Sequence, residues 1–151
     1  MPIRLRDYTP NDFDAIWRLD QVCFAQGIAY SRDEMRMYLA LKSSFCILAE
    51  SDAKLAGFTI VDSRPPRPGY IVTIDVAPEA RRLGVASALL AETEKRLRQQ
   101  RSPGIRLEVA VNNRAAIGFY KRHGFNEIGI KPGYYNGHLD ALSMEKELAA
   151  N

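Results

Sequence analysis

Six residues, Arg81-Arg82-Leu83-Gly84-Val85-Ala86, stand where an apolar run ends and a long amphipathic pattern begins. The run before them, Tyr70-Ile71-Val72-Thr73-Ile74, reads as a strand that leads through Asp75-Val76-Ala77-Pro78 into the turn. A helix start leaves its first backbone N–H groups without intrahelical partners, and the helix dipole adds partial positive charge there. A strand, a basic turn with glycine and a helix start therefore make an anion site. Arg81 and Arg82 add charged donors, while Gly84 and Ala86 let the backbone come close. The ligand this chemistry suits is a phosphate or a pyrophosphate. The turn is not a P-loop, because no Gly-Lys-Ser/Thr follows its glycine. It also lacks the second and third glycines of a dinucleotide fingerprint.

An α/β frame must position that turn. Ile3 to Asp7 alternates like a short strand, and Thr9-Pro10-Asn11-Asp12 opens a helix with Thr9 as N-cap and Pro10 at the first position. Ser31 with Glu34 forms a capping-box pattern for a second helix. Phe45 to Glu50, Leu55 to Val61 and Tyr70 to Val76 read as strands, with Ser51 to Lys54 as a hairpin turn and Arg64 to Gly69 as a loop. The helix from Gly84 carries Ala86, Leu89, Leu90, Thr93 and Leu97 at helical spacing and stops before Ser102-Pro103-Gly104. Ile105, Leu107 and Val109 alternate as a half-buried strand. Asn112 or Asn113 caps the next helix, which ends at Gly124 with Phe125 as apolar partner. Closing strands fall near Phe125 to Ile130 and Leu139 to Leu148. The strand–helix–strand from Tyr70 to Val109 forces one parallel pair into an otherwise antiparallel sheet of about seven strands.

A second segment carries Leu107-Glu108-Val109 and Asn113-Arg114-Ala115-Ala116-Ile117-Gly118-Phe119-Tyr120, closing on Gly124-Phe125. Taken with Ile74-Asp75-Val76-Ala77-Pro78 and the Arg-x-x-Gly-x-Ala turn, it resembles the GNAT superfamily of acetyl-coenzyme A-dependent N-acetyltransferases, over nearly the whole chain. Gly124-Phe125-Asn126-Glu127 and Tyr134-Tyr135 are similar to the ribosomal-protein-alanine N-acetyltransferase branch, which acetylates a ribosomal protein's N-terminal α-amine. The resemblance implies the GNAT fold, with its parallel strands splayed at the centre and helices flanking the sheet. It implies that Ile74, Asp75 and Val76 pair through their backbones with the pantetheine arm, Val76 N–H also polarising the thioester carbonyl. Arg81, Arg82, Leu83, Gly84, Val85, Ala86 and Ser87 would hold the pyrophosphate, and Asn113 would contact the cofactor. Glu108 is implied as general base through water and Tyr120 as general acid to the leaving thiolate. Tyr134 and Tyr135 would line the acceptor groove.

Those residue types suit the chemistry, since a protonated amine cannot attack a thioester until a carboxylate takes its proton, and a phenol can donate to the departing sulfur. Alternation alone would leave Glu108 an exposed strand carboxylate and Tyr120 a core aromatic. Asp75 is a rival base beside the acyl site, where the branch more often has a small residue. Lys131-Pro132-Gly133 replaces a basic pair of the branch, and Asn136-Gly137-His138 is shortened. Both departures fall where the acceptor binds. The expected reaction is acetyl transfer to a protein or peptide N-terminus by direct attack in a ternary complex. A small-molecule amine or lysine acetyltransferase, or a silent coenzyme A-binding module, are the alternatives. An α-amine, with its ordinary pKa of ~7.7–8.0, is already partly neutral near pH 7, whereas lysine near ~10.4 costs ~3.4 kcal/mol more.

The remaining composition narrows the classes. A chain of 151 residues suits one domain over 1–151. A formal charge of +3 is too mild to argue for nucleic acid, and a local anion site accounts for it. No apolar run approaches the ~20 residues of a membrane helix, so a cytoplasmic protein without membrane or nucleic-acid partners is expected. Cys23 and Cys46 lie in apolar stretches and read as buried thiols, with a disulfide or a nucleophile as alternatives. His123 and His138 lack ligand spacing, so no metal is expected.

Overall fold

The computed structural model describes residues 2–148. The elements run β1 (Arg4–Asp7), α1 (Phe13–Cys23), α2 (Arg32–Ala40), β2 (Ser44–Ser51), β3 (Lys54–Asp62), β4 (Gly69–Val76), α3 (Val85–Gln99), β5 (Gly104–Ala110), α4 (Arg114–Arg122), β6 (Asn126–Tyr135) and β7 (Leu139–Glu147). Local capping explains most of these boundaries. Ser31 and Glu34 exchange hydrogen bonds, Glu34 N–H donating to Ser31 Oγ (3.1 Å) and Ser31 N–H to Glu34 Oε1 (2.9 Å). Asn113 accepts from Ala116 N–H at 3.2 Å and starts α4. At the other end Gly124 takes φ +92° and Phe125 N–H donates to Tyr120 C=O at 3.0 Å, with Phe125 buried against the Tyr120 ring. Asp52 and Ala53 both have positive φ, as a tight β2–β3 hairpin requires.

Two boundaries differ from the sequence pattern. The helix expected from Pro10 begins as a separate 3-10 turn, Pro10–Asp12, before α1. Asp12 is the reason: its carboxylate accepts from Thr9 N–H (2.8 Å) and from both Arg6 nitrogens (2.9 and 2.7 Å), which holds it back toward β1. β6 continues five residues past Ile130. Its register with β7 shifts between Lys131 and Tyr135, and that irregularity absorbs Pro132, which has no N–H for a ladder.

The strands form one sheet in the order β1-β2-β3-β4-β5-β7-β6. Every neighbouring pair is antiparallel except β4–β5, which stay in register only at Gly69–Ile105 and Tyr70–Arg106. Beyond Tyr70 the two strands part. One core cluster packs Phe13, Ile16 and Met35 from the first two helices against Ile47, Phe58 and Ile60. The other packs Leu90 and Leu97 of α3 with Ile105, Leu107, Tyr120, Phe125 and Met144. Gly57 on β3 lies opposite Val76, where a Cβ would stand 2.5 Å from the Asp75 carbonyl oxygen, so only glycine lets β3 close on the end of β4. No helix among the described residues is long and apolar enough to cross a membrane.

Candidate active site

The parting of β4 and β5 opens two chambers back to back. One, of about 500 Å3, is walled by the end of β4, the turn before α3 and one side of α4. The other, of about 470 Å3, is walled by β4, β5, the α1–α2 loop and Tyr134-Tyr135. Ile74, Asn113, Ala116 and Tyr120 line both, so the chambers meet at the splay.

The first chamber gathers Ile74, Asp75, Val76, Arg81, Arg82, Gly84, Val85, Ala86, Ser87 and Asn113. Arg82 and Gly84 adopt positive φ (66° and 83°), which turns the chain sharply into a fifteen-residue helix. No side chain caps the α3 N-terminus, leaving its donors and dipole toward the chamber. Arg81 and Arg82 are exposed beside it. The Leu83 side chain is largely exposed and does not line the chamber. Ser87 Oγ lies 3.2 Å from His123 Nε2, tying α3 to the end of α4, where Arg122 joins the wall. The donor set and the bare helix end fit a pyrophosphate.

In the second chamber Glu108 is held by three groups. Tyr70 OH donates to Oε1 at 2.6 Å, Ser143 Oγ donates to Oε2 at 3.0 Å, and Lys131 Nζ stands 3.3 Å from Oε2. Its side chain is 8% exposed, so it is no solvated strand carboxylate. Burial and the adjacent Glu108 carboxylate push the Tyr70 phenol far up, which keeps it a donor. Tyr134 OH lies 3.4 Å from Tyr70 OH. Tyr30 OH donates to the Val72 carbonyl at 3.1 Å and closes the wall on the α1–α2 side. Tyr120 is buried, edge-on to Phe119 and Phe125. Burial first, then the charge of Asp75, raises its phenol above the ordinary value, so the proton stays available to a leaving group.

The model for the acetyltransferase (GNAT) family matches residues 13–125. The chain belongs to the GNAT acetyltransferase family. An N-alpha-acetyltransferase of Sulfurisphaera tokodaii is 28% identical over 96% of this chain and 93% of its own. The ribosomal protein bS18-alanine N-acetyltransferase of Salmonella typhimurium is 30% identical over 88% of this chain and 89% of its own. The crystal structure of the ribosomal-protein-S18-alanine N-acetyltransferase from Escherichia coli superposes with a TM-score of 0.88, at 24% identity, covering 99% of this chain and 96% of the other. The seven-stranded sheet with one parallel pair is therefore the GNAT fold.

Asp75, the rival base, does not line the chamber that holds Glu108. It is 1% exposed, accepts a hydrogen bond from Thr73 Oγ1 and faces Asp20, itself 0% exposed, on α1. Asp20 Oδ2 accepts from Tyr30 N–H at 2.7 Å. Asp20 Oδ1 and Asp75 Oδ2 are buried without a hydrogen-bond partner and the two carboxyls interact, so a proton shared between them satisfies the pair. Burial raises both carboxyls above the ordinary range, Asp75 strongly, and the neighbouring negative charge adds to this. A carboxyl spent on this bond is closed to an amine. Strand alternation turns Asp75 into the layer under α1, while Glu108 faces the open groove.

Tyr70, Ser143 and Tyr30 escaped the sequence reading. Tyr70 and Ser143 reach Glu108 through the β4–β5 and β5–β7 registers, Glu108 standing opposite Ser143, and Tyr30 reaches the Val72 carbonyl from the α1–α2 loop. No spacing along the chain encodes that. Cys23 is half-buried and Cys46 buried, both as free thiols. Cys23 Sγ donates to the Val76 carbonyl at 3.3 Å, and burial followed by Asp75's charge pushes its thiol up to about 11. A thiol in that state is a poor nucleophile. Among the described residues no cluster of three histidine, cysteine or carboxylate side chains could hold a metal ion.

Proposed function

We propose that this acetyltransferase, acting as one domain, moves the acetyl group of acetyl-CoA to the N-terminal α-amine of a protein or peptide. The observation that carries the reading is Glu108 at the floor of the second chamber, aimed by Tyr70 and Ser143 toward open space. The first chamber, with its bare helix end and exposed arginines, takes the pyrophosphate, and Ile74 to Val76 run along the pantetheine arm. When bound, acetyl-CoA supplies the activated acyl carbon at the junction of the chambers. Glu108 receives the ammonium proton directly or through one water. Tyr120, which lines both chambers, donates a proton to the departing sulfur. The raised Cys23 thiol favours direct attack over an acyl-enzyme. The N-alpha- and bS18-alanine acetyltransferase relatives support a peptide terminus as acceptor, and so does a lone carboxylate as the base, since an α-amine needs least help to lose its proton.

The test is incubation with acetyl-CoA and a panel of peptides with free and blocked N-termini, reading mass gain and its position by fragmentation. Acetylation of free α-amines alone is expected. Transfer confined to lysine side chains or to small free amines would overturn the acceptor assignment.

A further inference from the structure

The proposed base already has a primary amine beside it. Lys131 Nζ reaches to 3.3 Å from Glu108 Oε2, and lies 5.5 Å from the centroid of the Tyr134 ring at the mouth of the chamber. The side chain is 54% exposed, whereas that of Glu108 is 8% exposed. An ion pair with one partner this exposed contributes little to stability. Nor does Glu108 need the ammonium for satisfaction, since Tyr70 and Ser143 each donate to one of its oxygens. Lys121 and Lys146, the other paired lysines among the described residues, hold Glu127 and Glu94, neither of which lines either chamber. Lys131 is also the last paired residue of β6 before the irregular stretch that ends at Tyr135. The amine therefore reaches the Glu108 carboxylate from the solvent side on a flexible stem.

We infer that Lys131 is an acceptor in cis, and that the enzyme acetylates its own Lys131 Nζ. The inference rests on Glu108 being the base, as proposed above. Glu108 takes a proton from the Lys131 ammonium, and the freed lone pair forms the bond to the acetyl carbonyl carbon. The attacking nitrogen gives its second proton to solvent, the carbon–sulfur bond of the thioester breaks, and coenzyme A leaves with a proton donated by Tyr120, which solvent then restores. The products are Nζ-acetyl-lysine, free coenzyme A and one released proton, with no oxidant or further reactant. Two effects compete. A lysine amine, about 2.5 pKa units above an α-amine, is neutral roughly 300-fold less often. Tethering offsets this, because a group on a short flexible tether faces its target at about millimolar effective concentration, far above a dilute peptide. Self-acetylation is thus expected when no acceptor peptide fills the groove. It removes the Lys131 charge and leaves Glu108 without its internal ammonium, freeing the acceptor position.

The full-length chain is incubated with acetyl-CoA alone and mapped by peptide mass spectrometry, beside Glu108→Gln and Lys131→Arg. Expected is the mass of one acetyl group on Lys131, gained at a first-order rate that dilution of the protein leaves unchanged, and about tenfold or more slower in Glu108→Gln. An unmodified Lys131 in a preparation that acetylates peptide α-amines overturns the inference. So does equal modification in Glu108→Gln, which marks uncatalysed chemistry, or a rate that rises with protein concentration, which marks transfer in trans. If Lys131 is acetylated while every peptide is refused, the inference stands and the peptide reading fails. In Lys131→Arg the acetyl gain is expected to be lost, and the same gain at the same rate on another lysine overturns the inference.

Discussion

On the donor side of the cleft, the groups that face the ligand space come mainly from one continuous turn, Arg81 to Ser87, with the adjoining end of β4 and one side of α4 completing the wall. On the acceptor side they come from five places: Tyr30 ahead of α2, Tyr70 on β4, Glu108 on β5, Lys131 and Tyr134 on β6, and Ser143 on β7. The donor side is made mainly of backbone N–H groups and a dipole, which most substitutions leave in place. The acceptor side is made of individual side-chain atoms held by one another. Damage to the first is therefore expected to appear in cofactor affinity, and damage to the second in turnover or acceptor affinity.

Glu108→Gln gives the largest separation. Losing the base is expected to lower kcat by roughly 10²–10⁴-fold, while calorimetric affinity for coenzyme A stays within about twofold. Equal loss of both would show that the two halves are one energetic unit, and the contrast between them would fall.

Asp20 and Asp75 join the halves, since one holds Tyr30 N–H and the other belongs to β4. Asp20→Ala leaves that N–H without its acceptor and is expected to cost about 1–3 kcal/mol in urea denaturation, with acceptor KM rising and cofactor affinity kept. The pair also has a pH signature. In the unfolded chain both carboxyls release their protons near an ordinary pKa of ~3.9. The folded pair, raised by burial, with Asp20 adding negative charge beside Asp75 and Glu34 adding it beside Asp20, keeps one proton to higher pH. The native state then binds more protons than the unfolded state across that window. Stability is greatest below it and falls as pH rises through it. Asp75→Asn keeps a hydrogen-bond donor that cannot ionise, so its urea midpoint is expected to change less between pH 5 and 8 than that of the parent chain. A steeper dependence in the variant would contradict the shared proton.

The same contrast explains what could be read from the sequence. A backbone-built site leaves a contiguous signature, so Arg81-Arg82-Leu83-Gly84-Val85-Ala86 reads as an anion site from its spacing alone, and all of these but Leu83 line the first chamber. Caps are local as well, so Ser31 with Glu34 and Gly124 with Phe125 set helix ends correctly. Glu108 and Tyr120 were legible only through family resemblance, because alternation made one a solvated carboxylate and the other a core ring. Tyr70 and Ser143 depend on register between strands remote in the chain, and Tyr30 on the packing of the α1–α2 loop against β4. The end of β6 was hidden because Pro132 and Gly133 look like strand breakers until the shifted β6–β7 register accommodates them.

Gly84→Ala probes the donor turn at smaller scale. A Cβ there meets nothing within 4 Å, so the cost comes from φ +83° alone, about 1 kcal/mol. If the turn relaxes toward ordinary φ, its N–H groups rotate away from the ligand. KM for acetyl-CoA is then expected to rise about fivefold, with kcat at saturation retained. A fall in kcat at unchanged KM would place the turn in the chemistry rather than in binding.

Tyr134→Phe is expected to give the smallest effect. Its hydroxyl meets Tyr70 OH at 3.4 Å, a long contact, and the residue is substantially exposed. Removing it leaves Tyr70 still donating to Glu108, so no buried group is orphaned and the loss is at most about 1 kcal/mol. Acceptor KM should then rise less than about fivefold, with kcat and cofactor affinity unchanged. Tyr70→Phe is the control, since it strips a donor from Glu108 itself and is expected to lower kcat. If the two variants behaved alike, the long Tyr134–Tyr70 contact would be setting the base, and the acceptor side would have to be understood as one hydroxyl chain reaching the surface.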